Sequence, residues 1–193
     1  MFKDMTTLLE DREEGFFKLD RFTVGDNDFG AMVSGVSKGT YMRLKHNGEV
    51  VMSNTYMEER TNMDFIYNAY GDILIGGLGI GMIIMAIQDN PEVKSITVIE
   101  RYEEVINMVA TQLKFNDKVK IINADVFDWK PEKGNKYDVI YMDIWNYINE
   151  VIYNEEMKPL KRKFSRYLKS KELSPKRFNK CWAEWQAKNG RRL

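Results

Sequence analysis

Residues 71 to 82 read Gly71-Asp-Ile-Leu-Ile-Gly-Gly-Leu-Gly-Ile-Gly-Met82, an apolar segment that runs into a group of glycines. The apolar part predicts a buried strand, and the residues after the glycines predict a helix. Glycines in such a turn let the backbone bend, let a ligand approach where a Cβ would stand, and leave amide groups free. The segment therefore indicates a nucleotide-binding turn, although a tight connection without any ligand would have the same pattern.

The spacing of the glycines distinguishes the candidate ligands. A dinucleotide site follows G-x-G-x-x-G/A, in which the third small residue packs the helix against the strand. Counting from Gly77, that third position is Met82. Because methionine breaks the dinucleotide pattern, the glycines follow the pattern G-x-G-x-G, which is typical of S-adenosylmethionine sites.

Acidic residues end the next three predicted strands. These strands cover Ser95–Glu100, Val119–Asp125 and Tyr137–Asp143. Glu100 lies about twenty residues beyond the glycines, which is the separation that one helix and one strand require. Ligands of open α/β sheets bind outside the carboxyl ends of the strands, so we expect the three acids to face one crevice.

Composition favours a single domain of a cytoplasmic protein. A chain of 193 residues can bury a sizeable core. The one cysteine, Cys181, excludes an internal disulfide framework, and no Cys/His cluster predicts a metal site. The N-terminus carries acids where a signal peptide needs an apolar core, and the longest apolar run, Met82 to Ile87, is too short to span a bilayer.

Charge is distributed unevenly along the chain. From Val151 onward there are thirteen Lys and Arg against four Glu, while the formal net charge of the whole chain is zero. Such a basic tail can contact nucleic acid or an acidic protein. It can equally fold back onto its own acidic body or that of a second subunit, which we favour. No membrane contact is expected, and a homodimer is a reasonable expectation.

The pattern of elements predicts an α/β fold with a mainly parallel sheet. We divide the chain into a β-rich region (1–54), a nucleotide-binding core (55–150) and a basic helical extension (151–193), within one compact domain. The first region contains a hairpin around Asn47-Gly48, a dipeptide suited to a type I′ turn. Thr55 and Glu58 fit a capping box, which predicts a helix from Tyr56 to Tyr70.

Further helices are predicted downstream. They cover Gly81 to Gln88, Tyr102 to Phe115, and Ile148 to Leu168 with an interruption at Pro159. The last segment predicts a helix that begins at Ser174-Pro175 and ends near Gly190, with one apolar stripe. No fifth strand is expected after Asp143, so the sheet is predicted in the order 3-2-1-4, which leaves a truncation after the fourth strand open.

With these segments assembled, the chain resembles the class I S-adenosylmethionine-dependent methyltransferase superfamily, and most closely its spermidine-synthase-like branch. More narrowly, it looks like small methyltransferase-like proteins often encoded in phages and prophages. The resemblance covers roughly residues 48–145 and implies a Rossmann-like methyltransferase fold. The motifs that carry it are Met52-Ser-Asn-Thr-Tyr-Met-Glu58, Ile75-Gly-Gly-Leu-Gly-Ile-Gly81, Val98-Ile-Glu100, Ala124-Asp125 and Asp143-Ile-Trp145.

The resemblance also implies roles for single residues. Glu100 contacts the ribose of S-adenosylmethionine, Arg101 or Tyr102 flanks the adenine, and Asp125 accepts from the adenine amino group. Asp143 orients an amine nucleophile or takes up its proton, with Trp145 as a wall of the site. The residues assigned to the donor are Gly76, Gly77, Gly79, Gly81, Glu100, Arg101, Asp125 and Val126, and those assigned to catalysis are Asp143 and Trp145.

Some of these residues have plainer interpretations. Asp143 could be a strand-end acid that caps a neighbouring turn. Glu58 and Glu59 could border the crevice or be first-turn acids favoured by the helix dipole. His46 lies beside the hairpin turn and is interpreted as a surface residue.

Three functions remain open from the sequence. The first is a methyltransferase that uses S-adenosylmethionine and an unidentified acceptor. The second is an aminopropyltransferase-like enzyme that uses the decarboxylated donor. The helix before the glycines reads Met63-Asp-Phe-Ile-Tyr-Asn68 and lacks the Tyr-His-Glu element of polyamine aminopropyltransferases, which disfavours this enzyme. The third is a nucleotide-binding or assembly protein without turnover.

Overall fold

Two separate β-sheets organise the computed structural model, which describes residues 2–26 and 28–191. The N-terminal sheet is antiparallel and has the strand order β1-β2-β3-β4. Helix α1 precedes it, helix α2 lies between β2 and β3, and helix α3 leads out of it. These elements are α1 (Met5–Leu8), β1 (Arg12–Glu14), β2 (Phe17–Val24), α2 (Phe29–Ser34), β3 (Gly39–His46), β4 (Glu49–Ser53) and α3 (Tyr56–Asn68).

The predicted hairpin is confirmed. Strands β3 and β4 flank Asn47 and Gly48, which have φ values of 51° and 84°. A type I′ turn requires positive φ at both central residues, and asparagine and glycine adopt it at little cost. In the register of β2 and β3, His46 lies opposite Phe17.

The second sheet is entirely parallel, with the strand order β7-β6-β5-β8-β9. Its first four strands have the predicted order 3-2-1-4. The elements of this half are β5 (Gly71–Gly76), α4 (Met82–Ile87), β6 (Val93–Glu100), α5 (Glu103–Val105), β7 (Val119–Asn123), β8 (Val139–Met142), α6 (Glu150–Ile152), α7 (Lys158–Ser165), β9 (Phe178–Cys181) and α8 (Glu184–Lys188).

The expected end of the sheet after the fourth strand is wrong. Strand β9 lies parallel to β8, with Phe178 beside Val139 and Cys181 beside Met142. All four residues of β8 are buried, so its backbone groups need partners on both sides. The tail supplies these partners on one side through β9. The helix predicted from Ser174 to Gly190 is therefore wrong in its first part and is limited to α8, which begins after Ala183, a residue with a φ of 47°.

Two predicted helices contain π-helical turns. Helix α5 continues as a π-helical turn over Ile106–Ala110, and α6 continues as another over Tyr153–Met157. Pro159 then falls in the first turn of α7. Met157, the residue before α7, is itself helical, so the helix continues through Pro159, whose missing N–H removes one hydrogen bond next to the π-helical turn.

Helix α3 begins where predicted, but the capping box is absent. Thr55 occupies the N-cap position without a side-chain bond to the helix, and its hydroxyl lies 3.1 Å from that of Ser53. Glu58 is buried instead of reaching back to the cap. The helix therefore turns its face with Glu58, Asn62 and Phe65 into the protein.

The parallel sheet is covered on both faces. Ile73 and Ile75 of β5 pack into a core that includes residues of the N-terminal sheet and of helix α4, whereas Leu74 belongs to a second core with helix α7. Successive side chains of a strand point to opposite faces, so the two cores lie on either side of β5. The C-terminal segment thus forms one layer of the molecule.

Basic residues of the tail pair with the acidic body. Lys169 lies 2.6 Å from both Asp72 and Asp138 at the amino ends of β5 and β8, and Lys180 lies 2.6 Å from Asp64. These contacts are those of a tail folded onto its own chain. Within residues 2–26 and 28–191, no helix is long and apolar enough to cross a membrane.

Candidate active site at the strand ends

A cavity of about 330 Å³ lies at the carboxyl ends of the parallel strands. It is bounded by the loops after β5, β6, β7 and β8 and by the hairpin of the N-terminal sheet. The described residues that line it are Phe17, Leu44, His46, Val51, Met52, Glu58, Gly77, Gly79, Ile99, Glu100, Arg101, Tyr102, Val105, Ala124, Asp125, Val126, Phe127, Asp143, Ile144, Trp145, Asn146 and Glu156.

The glycine turn adopts the left-handed backbone that only glycine adopts freely. Gly77, Gly79 and Gly81 have φ values of 95°, 53° and 75°. A Cβ at Gly77 would lie 2.1 Å from the carbonyl oxygen of Asp143, and one at Gly79 would lie 2.1 Å from Sδ of Met52. Side chains at these two positions are therefore excluded by neighbours that themselves line the cavity.

Two of the predicted glycines do not line the cavity. A Cβ at Gly76 would lie 2.6 Å from Sδ of Met142, and one at Gly81 would lie 2.3 Å from Cδ1 of Leu113. Both sites are packed by the protein's own side chains. Their lack of a side chain is thus explained by packing, without any ligand.

The amides of the turn were expected to be free for a ligand, and four of them are engaged. The N–H of Gly77 donates to the carbonyl of Ile99, and that of Gly81 donates to the carbonyl of Leu78. Leu78 donates to the Glu100 carboxylate at 2.9 Å, and Ile80 donates to Sδ of Met52 at 3.4 Å. The turn is thus held mainly by the protein's own acceptors.

Glu100 ends β6 as a buried carboxylate. Its Oε2 accepts from Leu78 and its Oε1 accepts from the amide of Tyr102 at 2.8 Å. Burial raises the pKa of Glu100, and the amides of Tyr102 and Leu78 act in the opposite direction. A carboxylate offers about four lone-pair sites, so acceptor capacity remains for a donor in the cavity.

Asp125 and Arg101 meet at the edge of the cavity. Nε of Arg101 lies 3.4 Å from Oδ2 of Asp125, and the guanidinium lies over the ring of Tyr102 at 5.5 Å. The amide of Phe127 donates to Oδ1 of Asp125 at 2.8 Å. Val126 is buried beside them and also lines the cavity.

Asp143 follows β8, and both Asp143 and Glu58 line the cavity. Burial raises the pKa of Asp143 to about 7, and a hydrogen bond from Asn62 opposes the shift. Burial and the nearby charge of Asp143 raise the pKa of Glu58 to about 8. The pair therefore holds protons near neutral pH.

Asn62 connects this pair to the core. Its Oδ1 accepts from the hydroxyl of Tyr141 at 2.9 Å, and its Nδ2 donates to the carbonyl of Glu58 at 3.1 Å. Tyr141 stacks on Phe65 with ring centroids 4.2 Å apart. The sequence analysis missed Asn62, although its position four residues after Glu58 puts both on one helix face.

Trp145 lines the cavity beside a second acid that the sequence analysis missed. Nε1 of Trp145 donates to Oε2 of Glu156 at 2.8 Å, and Glu156 lies in the π-helical turn after α6. Glu156 and Asn146 line the same cavity. No local sequence signal distinguishes Glu156 from its neighbour Glu155.

His46, interpreted as a surface residue rather than a catalytic base, is partly exposed and also lines the cavity. Its ring stacks on Phe17 at 4.3 Å and lies 5.4 Å from Tyr102. The hairpin packs across the end of β6, which brings the histidine inward. Of the two first-turn acids, Glu58 lines the cavity and Glu59 does not.

Acidic side chains outnumber basic ones around the cavity. Arg101 is the single Lys or Arg among its lining residues within the described part of the chain. The acids that line it are Glu58, Glu100, Asp125, Asp143 and Glu156. A bound molecule with positive charge is favoured by such a lining.

The parallel sheet with its cavity at the strand ends defines an α/β protein of the Rossmann-like methyltransferase fold. A spermidine synthase in complex with the transition-state analogue AdoDATO has the same fold, with a TM-score of 0.50 and 16% identity over 83% of this chain and 52% of its own. At that identity the likeness establishes the fold alone. This chain thus spans about half the length of that enzyme.

Two further solved structures have lower TM-scores. The spermidine synthase of Thermotoga maritima has a TM-score of 0.47 and 18% identity over 83% of this chain and 52% of its own. The plantazolicin methyltransferase BpumL, in complex with SAH and a triazolic desmethylPZN analog, has a TM-score of 0.41 and 21% identity over 58% of this chain and 40% of its own. No protein-family model and no curated protein matches the sequence.

Proposed function

We propose that this protein is an S-adenosylmethionine-dependent methyltransferase. The observation that carries the proposal is that Gly77, Gly79 and the buried Glu100 line one cavity together with Asp125 and Asp143. The strand order β7-β6-β5-β8 sets the order of these residues along the sheet edge. An open α/β sheet binds its ligands at this edge.

The nucleoside part fits the side of the cavity over β6 and β7. Glu100 keeps acceptor capacity for ribose hydroxyls after its bonds to two amides. Asp125 and Val126 border the adenine region, with Arg101 as its outer flank. The cavity volume of about 330 Å³ falls at the lower end of ligand-pocket volumes.

The chemistry assigned to this chain is mainly placement. S-adenosylmethionine supplies, when bound, a methyl group activated by its sulfonium. Asp143, on the side of the cavity over β8, orients an incoming amine, and in its ionised form it takes up the proton that the amine releases, with Glu58 beside it as a protonated neighbour. Trp145, fixed by Glu156, forms the wall beside them.

Calorimetry with S-adenosylmethionine, S-adenosylhomocysteine and decarboxylated S-adenosylmethionine tests the proposal. We expect the two carboxylated compounds to bind, and Glu100→Gln to weaken both by about 10- to 100-fold because hydrogen bonds to a charged group are lost. Glu103→Gln, an exposed acid on the next helix, is the matched control. Unchanged binding by Glu100→Gln would contradict the ribose assignment.

A second candidate is an aminopropyltransferase-like enzyme that uses the decarboxylated donor. The observation in its favour is the acidic lining, in which Arg101 already faces Asp125. Loss of the carboxylate leaves a donor with two positive charges, which such a lining favours. Tighter binding of the decarboxylated compound would support this candidate, and binding without turnover in an extract screen would support a non-catalytic nucleotide-binding or assembly protein.

A further inference from the structure

Met52 of strand β4 rests on the glycine turn. Its Sδ accepts from the N–H of Ile80 at 3.4 Å and occupies the place that a Cβ on Gly79 would fill, 2.1 Å from that position. Both Met52 and Gly79 line the cavity. The space left by the missing side chain of Gly79 is therefore taken by the thioether of Met52.

The backbone of β4 is well held at this point. Met52 pairs with Leu44 of β3, and Asn54 secures the end of the strand because its Oδ1 accepts from the amide of Met42 at 2.7 Å. The methionine side chain has three rotatable bonds and is only partly buried. The side chain can thus move while its strand stays in place.

The position along the sheet edge shows which part of a ligand would meet this side chain. The nucleoside residues Asp125 and Glu100 follow β7 and β6, whereas Gly79 follows the central strand β5. A substituent on the sulfur of an adenosyl ligand would leave the ribose in the direction of Gly79 and Asp143. Met52 stands in that direction.

We propose that Met52 is the specificity-determining residue for the sulfur substituent of the donor, because its thioether takes the room beside Gly79. This inference rests on the proposed function, since it needs an adenosyl ligand in the cavity. An adenosyl thioether with only a methyl group leaves Met52 in place. A longer, carboxylated substituent has to displace Met52 and its contact with Ile80, which weakens binding.

Calorimetry on the full chain with two thioethers tests the inference. S-adenosylhomocysteine and 5′-methylthioadenosine share their nucleoside and sulfur and differ in the substituent. We expect Met52→Ala to tighten S-adenosylhomocysteine by about fivefold, because the ligand no longer has to break the neutral hydrogen bond between Ile80 and Met52, and to leave 5′-methylthioadenosine within about twofold. Met52→Leu keeps the bulk and should retain the wild-type preference.

Val51→Ala is the matched control, because Val51 precedes Met52 on the same strand and also lines the cavity. It should leave the ratio of the two dissociation constants unchanged. An equal change for both ligands in Met52→Ala, or no change for either, overturns the inference. Failure of both thioethers to bind the wild type contradicts the proposed function instead.

A further measurement uses the wild type and needs only the conservative variant Met52→Leu, for the assignment of one signal. With the methionine methyl groups labelled with carbon-13, the Met52 signal, assigned from its loss in Met52→Leu, should shift far more with S-adenosylhomocysteine than with 5′-methylthioadenosine. Equal shifts with the two ligands would show that the side chain responds to the nucleoside alone and would overturn the inference.

Discussion

At the scale of single residues, the carboxyl pair of Glu58 and Asp143 is the most unusual feature of the cavity. Two acids in a buried site cannot both ionise at their ordinary pKa, because burial and mutual repulsion oppose the second charge. Without a bound cation, the pair therefore retains protons near neutral pH. A bound amine or sulfonium would supply the positive charge in their place. The effect of the pair on the free energy of unfolding can be measured.

Glu58→Gln should change how stability depends on pH. The pKa of Glu58 is raised from 4.5 to about 8, so the folded state retains a proton that the unfolded state has lost between these values. Wild-type stability thus falls as pH rises from about 5 to 8, and the neutral glutamine should reduce that fall. Chemical denaturation at several pH values measures it.

The control for this change is Glu103→Gln, an exposed carboxyl outside the cavity. It should leave the slope of stability against pH unaltered. Parallel curves for Glu58→Gln and the wild type would contradict the prediction.

Gly77→Ala tests the close approach in the turn. The new Cβ would lie 2.1 Å from a backbone carbonyl oxygen that cannot move away easily. Gly134 has almost the same φ, 96° against 95°, with nothing within 4 Å of its Cβ position. Gly134→Ala should therefore lower the free energy of unfolding only by the backbone strain, about 1–2 kcal/mol. Gly77→Ala should lower it by clearly more, because the strain is joined by the clash with the carbonyl oxygen. Denaturant titration measures both differences. Equal losses would show that conformation alone requires the glycine.

At the scale of elements, strand β9 is where a local pattern was misleading. The spacing of Phe178, Cys181 and Trp182 suits a helix. Strand β9 has only four residues, however, and a segment that short does not let periodicity distinguish a helix from a strand. The competing requirement was the backbone of β8, which is buried and needs a neighbour. That requirement determined the conformation of the tail.

Lys180→Pro should disrupt this pairing. Phe178 and Trp182 donate their N–H groups to Asp138 and Met142, so the N–H of Lys180, midway between them, points at β8 as well. Removing it should cost about 3 kcal/mol or more in the free energy of unfolding. Lys180→Ala keeps the N–H, loses an exposed ion pair with Asp64 and the contact of its ammonium with the Phe178 ring, and should cost about 1 kcal/mol.

At the scale of the whole molecule, the basic tail completes the second face of the sheet. Lys169 joins it to Asp72 and Asp138, and the side chain of Asp138 is only 7% exposed. The ion pair with Lys169 keeps the pKa of Asp138 below its usual value although burial raises it. Contact of the tail with nucleic acid, and a homodimer, stay predictions.

Lys169→Met should destabilise the protein by about 3 kcal/mol, since it leaves two carboxylates without their cation in a partly buried site. Thermal or denaturant unfolding gives the difference. Lys176→Met, an exposed lysine of the same tail, is the control and should stay within about 0.5 kcal/mol of the wild type. A similar loss of stability in both variants would contradict the prediction, because it would show that the positive charge of the tail stabilises the protein without the specific contact of Lys169.

The sequence by itself determined the glycine turn, the acids at the strand ends and the order of the first four strands. Each depends on local rules, namely glycine at positive φ, apolar strands, and right-handed crossovers between parallel strands. Gly77, Glu100 and Asp143 could therefore be assigned to one edge of the sheet from their positions along the chain.

Only the tertiary structure decided what else faces the cavity. His46, Met52 and Glu156 reach it because the hairpin and the tail pack against the strand ends. These contacts join segments far apart in the chain, and no residue spacing encodes them. The fifth strand has the same origin, because the free edge of β8 had to be paired and the chain beyond it supplied the backbone groups.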